Sequence, residues 1–392
     1  MRYRKFKSDY LFTGERFLSK ENVLVTDESG KIIDIVNIKD AGENIEICKG
    51  ILSPGFINAH CHLELSHLKG VIPEKTGLVD FVFEVVSKRY FDEKDILAAI
   101  VKAEGEMRQN GIVAVGDICN YTTTLSQKIE RNLSYYNFIE ISGWLPEIAD
   151  VRFEKRKLAL DQFEKSNLAA SMVPHAPYSV SEILWKKIIP LFSKKTVTIH
   201  NQETADEDLF FKKGSGDFLR MFEKMKIDNS FYTPKRVRSV ESYFDKFSSA
   251  ASIILVHNTF THQEDLDFIS YLKNKEQLIS FCLCPNANLY IENATPPVDL
   301  FLKNNLNIIL GTDSLASNHQ LDILEEIKTI AMKYPEIETE TFLKWATING
   351  AKALQMQKDL GSFEKGKKPG IILIENLDGK KIQSESKIRR LI

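Results

Sequence analysis

Three histidines and one aspartate stand where they could share one metal ion. His60 and His62 are two residues apart, and side chains at that spacing in a strand point to the same face. His200 and Asp313 each end a later run of apolar residues. Three imidazoles and one carboxylate suit Zn²⁺ or Fe²⁺ and leave a position for water. The pattern therefore predicts one divalent metal ion, with Zn²⁺ as the first choice and Fe²⁺ as the second.

The remaining histidines and the cysteines have plainer explanations. A single histidine is more often a hydrogen-bonded structural residue than a ligand, and we expect this of His67, while His262 and His319 fall in loops. Cys282 and Cys284 could offer thiolates to a metal. Because a complete histidine and aspartate set is already present, we expect these two cysteines to serve in packing.

The candidate ligands lie at the ends of strands in the predicted fold. Eight apolar, strand-like runs recur, and helical periodicity separates most of them, as at residues 95–110 and 181–192. The runs are residues 50–62, 111–120, 134–143, 169–175, 197–200, 252–257, 278–284 and 307–313. Parallel strands need crossover connections, so the alternation predicts an α/β fold, a (β/α)₈ TIM barrel. Catalytic groups of such barrels come from the C-terminal ends of the strands.

The two chain ends predict a smaller β structure beside the barrel. Short β-rich segments occur near both ends, and neither end has enough residues for an independent core. These segments are residues 22–26, 31–36 and 370–374. We expect residues 1–50 and 357–392 to form one composite β-sandwich and residues 51–356 to form the barrel.

The connection between the fifth and sixth runs is unusually long. It extends from His200 to Ser252. Connections of this length inside a compact domain are uncommon and are usually functional. We expect an insertion that carries helices over the mouth of the barrel.

The composition excludes several classes of protein. The 392 residues carry 52 Lys and Arg against 54 Asp and Glu, a net charge of -2, without the positive excess of a non-specific nucleic-acid binder. No apolar run approaches the roughly 20 residues that span a bilayer, and the basic N-terminus lacks the apolar core of a signal peptide. Five sparse cysteines indicate a reducing compartment. We expect a cytoplasmic protein that acts on a small-molecule substrate and binds neither nucleic acid nor membranes. A homodimer is compatible with these expectations.

The segment at residues 54–62, PGFINAHCH, resembles the first-strand signature of the amidohydrolase superfamily. The later His, His and Asp follow in the order of that family, and the resemblance extends through residues 361–370. It implies a (β/α)₈ barrel with a β-sandwich built from the termini. Dinuclear members usually carry a carboxylated Lys at the end of strand four. Residues 172–179 contain no Lys, so the resemblance implies a single metal ion.

The spacing of His200 and Glu203 resembles the His-x-x-Glu element of nucleoside and nucleobase deaminases. The metal would lower the pKa of water from about 15.7 toward about 7 and supply hydroxide. Glu203 would transfer protons to the ring nitrogen and to the departing ammonia. Such general acid-base catalysis typically raises the reaction rate by about 10²–10⁴-fold. His257 would orient the hydroxide, and Asp313 would ligate the metal and accept the proton of water. The alternative for Glu203 is a surface salt bridge.

Three residues are candidates for substrate binding, and two of them, His175 and Glu84, follow from the resemblance to adenosylhomocysteine and methylthioadenosine deaminases. His175, in the segment His-Ala-Pro-Tyr, would face the substrate. Glu84 falls where those enzymes place a ribose-binding Glu, although an ordinary exposed helix carboxylate explains it equally well. Asn318 belongs to the loop after strand eight, where its alternative role is to hold the loop in shape.

Loop segments narrow the resemblance and leave several functions open. Residues 64–68, 77–81 and 210–216 are most similar to those of aminodeoxyfutalosine deaminases, and residues 140–144 lack the Arg that adenosylhomocysteine deaminases use for a carboxylate. The hypothesis is a hydrolytic deaminase of a 6-aminopurine-type nucleoside. One alternative is a guanine deaminase or an s-triazine hydrolase. A non-catalytic assembly protein on this fold would have lost metal ligands, and a metal-binding module without catalysis would not need Glu203 and His257.

Overall fold

The computed structural model describes residues 3–392, and five strands form its N-terminal part. They are β1 (Tyr3–Phe12), β2 (Phe17–Leu18), β3 (Asn22–Asp27), β4 (Ile32–Asn37) and β5 (Glu46–Pro54). β1 pairs with β3 in antiparallel and with β5 in parallel orientation. β3 also pairs with β4 in antiparallel orientation, and a short turn joins the two strands.

Eight parallel strands follow and form the barrel, which confirms the predicted fold. They are β6 (Phe56–Cys61), β7 (Ile112–Cys119), β8 (Ser134–Ile141), β9 (Ala169–Pro174), β10 (Thr196–Asn201), β11 (Ser252–His257), β12 (Leu278–Leu283) and β13 (Asn307–Leu310). Each half of the barrel is a four-stranded parallel sheet, β6 to β9 and β10 to β13. The His200 amide donates to the His175 carbonyl at one seam, and the Thr312 amide donates to the His60 carbonyl at the other.

The first apolar run divides into two strands that belong to different sheets. β5 ends at Pro54 and β6 begins at Phe56, with Gly55 between them. A Cβ on Gly55 would lie 2.2 Å from a Val113 methyl carbon, so only glycine fits this crossing. Both strands are buried on both faces at this point, and the sequence therefore shows one continuous apolar run.

Two C-terminal strands complete the terminal sheet. β14 (Ile371–Glu375) pairs with β5, and β15 (Lys387–Arg390) pairs with β14. The result is one seven-stranded sheet in which the order β15-β14-β5-β1-β3-β4 draws on both chain ends, with β2 beside β1. This agrees with the predicted composite β structure. The division of the chain into residues 1–50 with 357–392 and residues 51–356 stays a prediction.

Helices connect the barrel strands and surround them. They are α1 (Leu78–Lys88), α2 (Glu93–Gln109), α3 (Leu125–Ile129), α4 (Ala149–Lys165), α5 (Glu182–Ile188), α6 (Asp206–Lys213), α7 (Phe218–Lys224), α8 (Gln263–Leu272), α9 (Pro285–Glu292), α10 (Val298–Lys303), α11 (Ile323–Lys333), α12 (Thr339–Lys344) and α13 (Gly350–Ala353). The Ser181 and Asp322 side chains cap α5 and α11 by accepting backbone N–H groups of the first turn. Within residues 3–392, every helix falls short of the length and apolarity that crossing a bilayer requires.

A separate apolar cluster, here named the cap, covers the C-terminal ends of the barrel strands. It is built from the segment after β6 with α1, the loops after β8 and β9, helices α6 and α7, and the segment around α9. Its largest buried side chains include Trp144, Phe210, Phe218 and Phe222. The insertion between β10 and β11 therefore carries helices over the barrel mouth, as the sequence predicts.

A buried ion pair supports the segment that follows the first metal-ligand candidates. Lys128 Nζ lies 2.5 Å from Asp117 Oδ2, and both side chains are fully buried. The other oxygen of Asp117 accepts the Leu63 amide at 2.8 Å. Asp117 thereby joins β7 to the chain immediately after His62.

Replacing Lys128 by Ala should lower the free energy of unfolding by about 3–5 kcal/mol, because the Asp117 carboxylate would be left buried and unpaired. Equilibrium urea unfolding measures the change. Lys157→Ala is the control, since Lys157 forms a half-exposed pair with Asp161 on one helix and should cost at most about 0.5 kcal/mol. Equal effects of the two variants would contradict the prediction.

Candidate active site

The predicted metal ligands meet at one end of the barrel beneath the cap. His60 lies in β6 and His62 directly after it, His200 lies in β10, and Asp313 follows β13. All four side chains are buried, with residue exposures of 8% or less. Gly311 allows the close approach, because a Cβ there would lie 2.8 Å from His60 Cβ. The closed barrel therefore brings residues from opposite ends of the sequence to one point.

The distances within this cluster fit a single tetrahedral ion. The Nε2 atom of His62 lies 3.2 Å from His60 Nε2 and 3.3 Å from His200 Nε2. Asp313 Oδ1 lies 3.4 Å from His60 Nε2 and 3.3 Å from His62 Nε2. Ligand atoms about 2.0–2.1 Å from one ion at the corners of a tetrahedron are about 3.3–3.4 Å apart. The four side chains thus have the donor types and the spacing of a metal site.

The electrostatics favour the protonation states that bind a metal. Burial lowers the pKa of His62 to about 3 and the pKa of His200 well below its usual value. Burial alone would raise the pKa of Asp313, but its hydrogen bond to His60 and the nearby histidines hold that pKa well below its usual value. Neutral imidazoles and an ionised carboxylate are the forms that coordinate metals.

Glu203 and His257 lie beside this cluster. The His257 Nε2 atom is 3.5 Å from Glu203 Oε1, and both side chains are buried. His257 also belongs to a set with His60, His200 and Asp313 whose possible ligand atoms all lie within 4.8 Å of one another. Burial, followed by the charges of Asp313 and Glu292, raises the pKa of Glu203 well above its usual value. A surface salt bridge for Glu203 is therefore wrong, because the carboxyl group is buried.

The backbone at the strand ends is bent to aim these side chains inward. His257 has φ of 72° and Asp313 has φ of 57°, both in the left-handed region. Non-glycine residues adopt this region at a cost, and such residues cluster at functional sites. The surrounding hydrogen bonds hold Asp313, whose Oδ2 accepts the Ser317 hydroxyl.

A second group of possible ligands, Glu140, His175 and His200, lies next to the first. The Glu140 Oε1 atom is 3.7 Å from His200 Nδ1. However, His200 Nδ1 is already committed to the His175 carbonyl oxygen at 2.7 Å, which leaves Nε2 for the first cluster. We therefore assign no second metal to this group. The hydrogen bond instead fixes the orientation of His200, as is usual for metal-ligating histidines.

The three predicted substrate-binding residues are placed differently from one another. His175 is close to the centre, with its ring centroid 4.7 Å from that of His200 and its Nδ1 held 2.9 Å from Ser179 Oγ. Glu84 lies on α1 in the cap, paired with Lys88 at 2.5 Å. The Asn318 amide donates to the Thr312 carbonyl and to Glu326, which supports the loop-holding alternative.

Four residues at the site are absent from the predicted set. Asn288 contacts His257, Ser317 contacts Asp313, and the Glu140 and Tyr178 side chains are buried with one oxygen each that has no hydrogen-bond partner. Ser317 follows Asp313 by four residues, a spacing that could have suggested contact. Asn288 had no such signal, since it reaches the site from a helix of another strand-helix unit.

The plainer explanations for the other histidines and the cysteines agree with the contacts. The His67 ring nitrogen Nε2 lies 3.0 Å from the Arg89 carbonyl oxygen, and His319 is exposed beside Glu74. Cys282 and Cys284 are buried free thiols. Burial raises the pKa of the Cys284 thiol well above its usual value, so it stays neutral.

Comparison with known proteins places the chain in a family. Residues 51–389 match the Amidohydrolase family. A 5-methylthioadenosine/S-adenosylhomocysteine deaminase of Thermoanaerobacter pseudethanolicus is 30% identical over 358 residues, 84% of this chain and 74% of that protein. An aminodeoxyfutalosine deaminase of Nitratiruptor sp. is 27% identical over 313 residues, 77% of this chain and 73% of that protein.

A solved structure gives the same picture of the fold. The crystal structure of Helicobacter pylori aminofutalosine deaminase in complex with methylthio-coformycin is similar with a TM-score of 0.81 at 23% identity. The match covers 97% of this chain and 93% of that chain. The resemblance drawn from residues 54–62 is confirmed, and the chain belongs to the amidohydrolase family.

Proposed function

We propose that the protein is a metal-dependent hydrolytic deaminase of a 6-aminopurine-type nucleoside. The observation that carries the proposal is the buried Glu203 carboxyl group, 3.5 Å from His257 beside the histidine and aspartate cluster. The relatives named as deaminases of adenosine derivatives support the reaction class. A non-catalytic role is disfavoured because all four candidate metal ligands are present and their side chains meet at one point.

The ligands that we propose for one divalent ion are His60, His62, His200 and Asp313. Zinc is the first choice because three imidazoles and one carboxylate suit it, and Fe²⁺ is the second. The chemistry that such an ion would supply is a lower pKa of water, toward about 7, and thus hydroxide near neutral pH. Asp313 is ionised in these surroundings and can accept a proton from the attacking water at Oδ1 or Oδ2.

Glu203 is the residue that we assign to proton transfer. Overall, the ring carbon gains the oxygen of water and loses its amino group as ammonia. One water proton ends on the neighbouring ring nitrogen, and the other ends on the leaving group. A carboxyl group whose pKa is raised by burial can donate a proton to the ring nitrogen and then be protonated again. His257 Nε2 faces Glu203 and can orient the water.

His175 and Glu84 are the two residues that we propose first as contacts of the substrate. His175 is beside His200 and could contact the ring, and Glu84 lies on the cap helix α1 as a candidate for ribose. Asn318 is a weaker candidate because both of its amide contacts lie within the protein. Guanine deamination and triazine hydrolysis remain the alternatives within the family fold. A cytoplasmic location and a homodimer are further predictions of the sequence.

Ammonia release from a panel of nucleosides and bases tests the function. The metal-loaded protein should release ammonia from at least one of adenosine, 5'-deoxyadenosine, methylthioadenosine, adenosylhomocysteine and aminodeoxyfutalosine, with loss of the adenine absorbance band. Asp313→Ala is the control for contaminating activity. Turnover of guanine alone would favour the alternative base specificity, and silence across the panel, including cytosine, would contradict the deaminase proposal.

A further inference from the structure

Asn288 forms the only side-chain hydrogen bond that the structure gives to the imidazole of His257 among residues 3–392. Asn288 Oδ1 lies 2.9 Å from His257 Nδ1, and both residues are 1% exposed. Asn288 is on α9, which follows β12, whereas His257 ends β11. The contact therefore joins the ends of two neighbouring strand-helix units behind the proposed catalytic groups.

We propose that Asn288 is a positioning residue that holds His257 in the tautomer with the proton on Nδ1 and the lone pair on Nε2. In a neutral imidazole one nitrogen donates and the other accepts, and the partner of one nitrogen fixes the role of the other. An amide oxygen at Nδ1 accepts that proton, which leaves Nε2 as an acceptor facing Glu203. The inference rests on the proposed function, because it concerns how His257 acts there.

The orientation of the Asn288 amide is itself fixed by a second contact. Its Nδ2 donates to Thr259 Oγ1, two residues after His257. With Nδ2 used in this way, only Oδ1 is left for the imidazole. His257 Nε2 has no hydrogen-bond partner within the protein, which is the state expected of an acceptor that awaits a water or substrate proton.

Helix α9, which carries Asn288, also forms hydrogen bonds with other segments of the cap. On α9, the Tyr290 hydroxyl donates to the Ile72 carbonyl at 2.6 Å, and Glu292 Oε1 accepts the Leu78 amide at 2.6 Å. These contacts hold the helix from the cap side while Asn288 reaches the centre. The imidazole is thus held by a rigid element rather than by a free loop, which favours a fixed geometry at the reacting atoms.

Nitrogen NMR of histidine-labelled protein tests the inference without any need for turnover. In the wild type, the His257 signals, assigned by their loss in His257→Gln, should show a protonated Nδ1 and an unprotonated Nε2. Asn288→Leu should convert them to a mixture of tautomers, while Asn288→Asp, which can only accept at Nδ1, should keep the wild-type pattern. A protonated Nε2 in the wild type, or unchanged signals in Asn288→Leu, would overturn the proposal.

Kinetics on whichever nucleoside the panel identifies provides the second readout. Asn288→Leu should keep its metal and lower kcat by about 10–100-fold, the usual loss when the partner of a site histidine is removed. KM should change by no more than about twofold, since the effect is on the reacting atoms rather than on binding. Asn288→Asp should recover most of the lost kcat. A higher KM with an unchanged kcat would overturn the proposal.

Two controls separate positioning from simple destabilisation. Asn286→Leu removes an asparagine of the same helix whose Oδ1 accepts the Thr329 hydroxyl at 2.5 Å, and it should leave kcat unchanged. In a double-mutant cycle, Asn288→Leu should cost little once His257 is already alanine. Independent effects in that cycle would overturn the proposal. If the panel is silent but the NMR pattern holds, only the proposed function fails.

Discussion

Glu203→Gln is expected to lower kcat by about 10²–10⁴-fold, the range typical of a lost general acid-base group. Glutamine keeps the size and the hydrogen-bonding shape of the side chain but can neither hold nor release the proton. The variant should retain about one metal ion per chain by elemental analysis, because Glu203 is not one of the four proposed ligands and glutamine keeps its shape. The measurement pairs steady-state kinetics with metal content on the same preparation.

The matched control is Glu104→Gln. Glu104 is also a buried carboxylate, but it lies on helix α2. There it accepts hydrogen bonds from the side chains of Gln127, Asn132 and Tyr135. The change should lower thermal stability and leave kcat intact. If Glu203→Gln kept a near-wild-type kcat, Glu203 could not be the proton carrier, and the deaminase mechanism would need another group.

His62→Ala should lose stoichiometric metal and lower kcat by at least about 10³-fold, because the remaining residues have no comparable means of lowering the pKa of water. His62 lies within 3.3 Å of three other proposed ligand atoms, so its loss opens a corner of the cluster. Elemental analysis and turnover measured at fixed Zn²⁺ provide the two readouts.

His67→Ala is the control for the loss of a nearby imidazole. His67 sits five residues later on the same segment but bonds the Arg89 carbonyl, so its removal should leave metal content unchanged. Wild-type protein treated with a chelator should regain activity when Zn²⁺ is added back, whereas His62→Ala should not at the same concentration. Full metal occupancy in His62→Ala would remove this residue from the ligand set.

The sequence contained enough information to predict the barrel and the ligand cluster. Strand-like runs of suitable length ended at His62, His200, His257 and Asp313, and a parallel barrel brings such ends together. The helical insertion before Ser252 was predictable from its length alone. Local periodicity and position along the strand were therefore enough to predict which of these side chains meet at one end of the barrel.

What the sequence did not reveal depends on contacts between distant segments. The split of the first run at Gly55 is invisible because both resulting strands are buried and apolar. Asn288 could not be paired with His257, since an asparagine in a helix has no signature of the ring it meets. The cap is formed by several loops and helices that pack together. The contacts of the Glu84 and Asn318 side chains could therefore not be predicted from the residues next to them in the sequence.

The pairing of β5 with β14 also bears on the order in which the chain can fold during its synthesis. β5 runs directly into the strand that carries His60, yet its partner β14 is made only after all eight barrel strands. At about 5–20 residues per second, the ribosome needs about 15–65 s to make the residues between β5 and β14. Until then one edge of β5 stays open, and exposed strand edges invite aggregation. We therefore expect a nascent chain that stops before β14 to aggregate more readily than one that includes it.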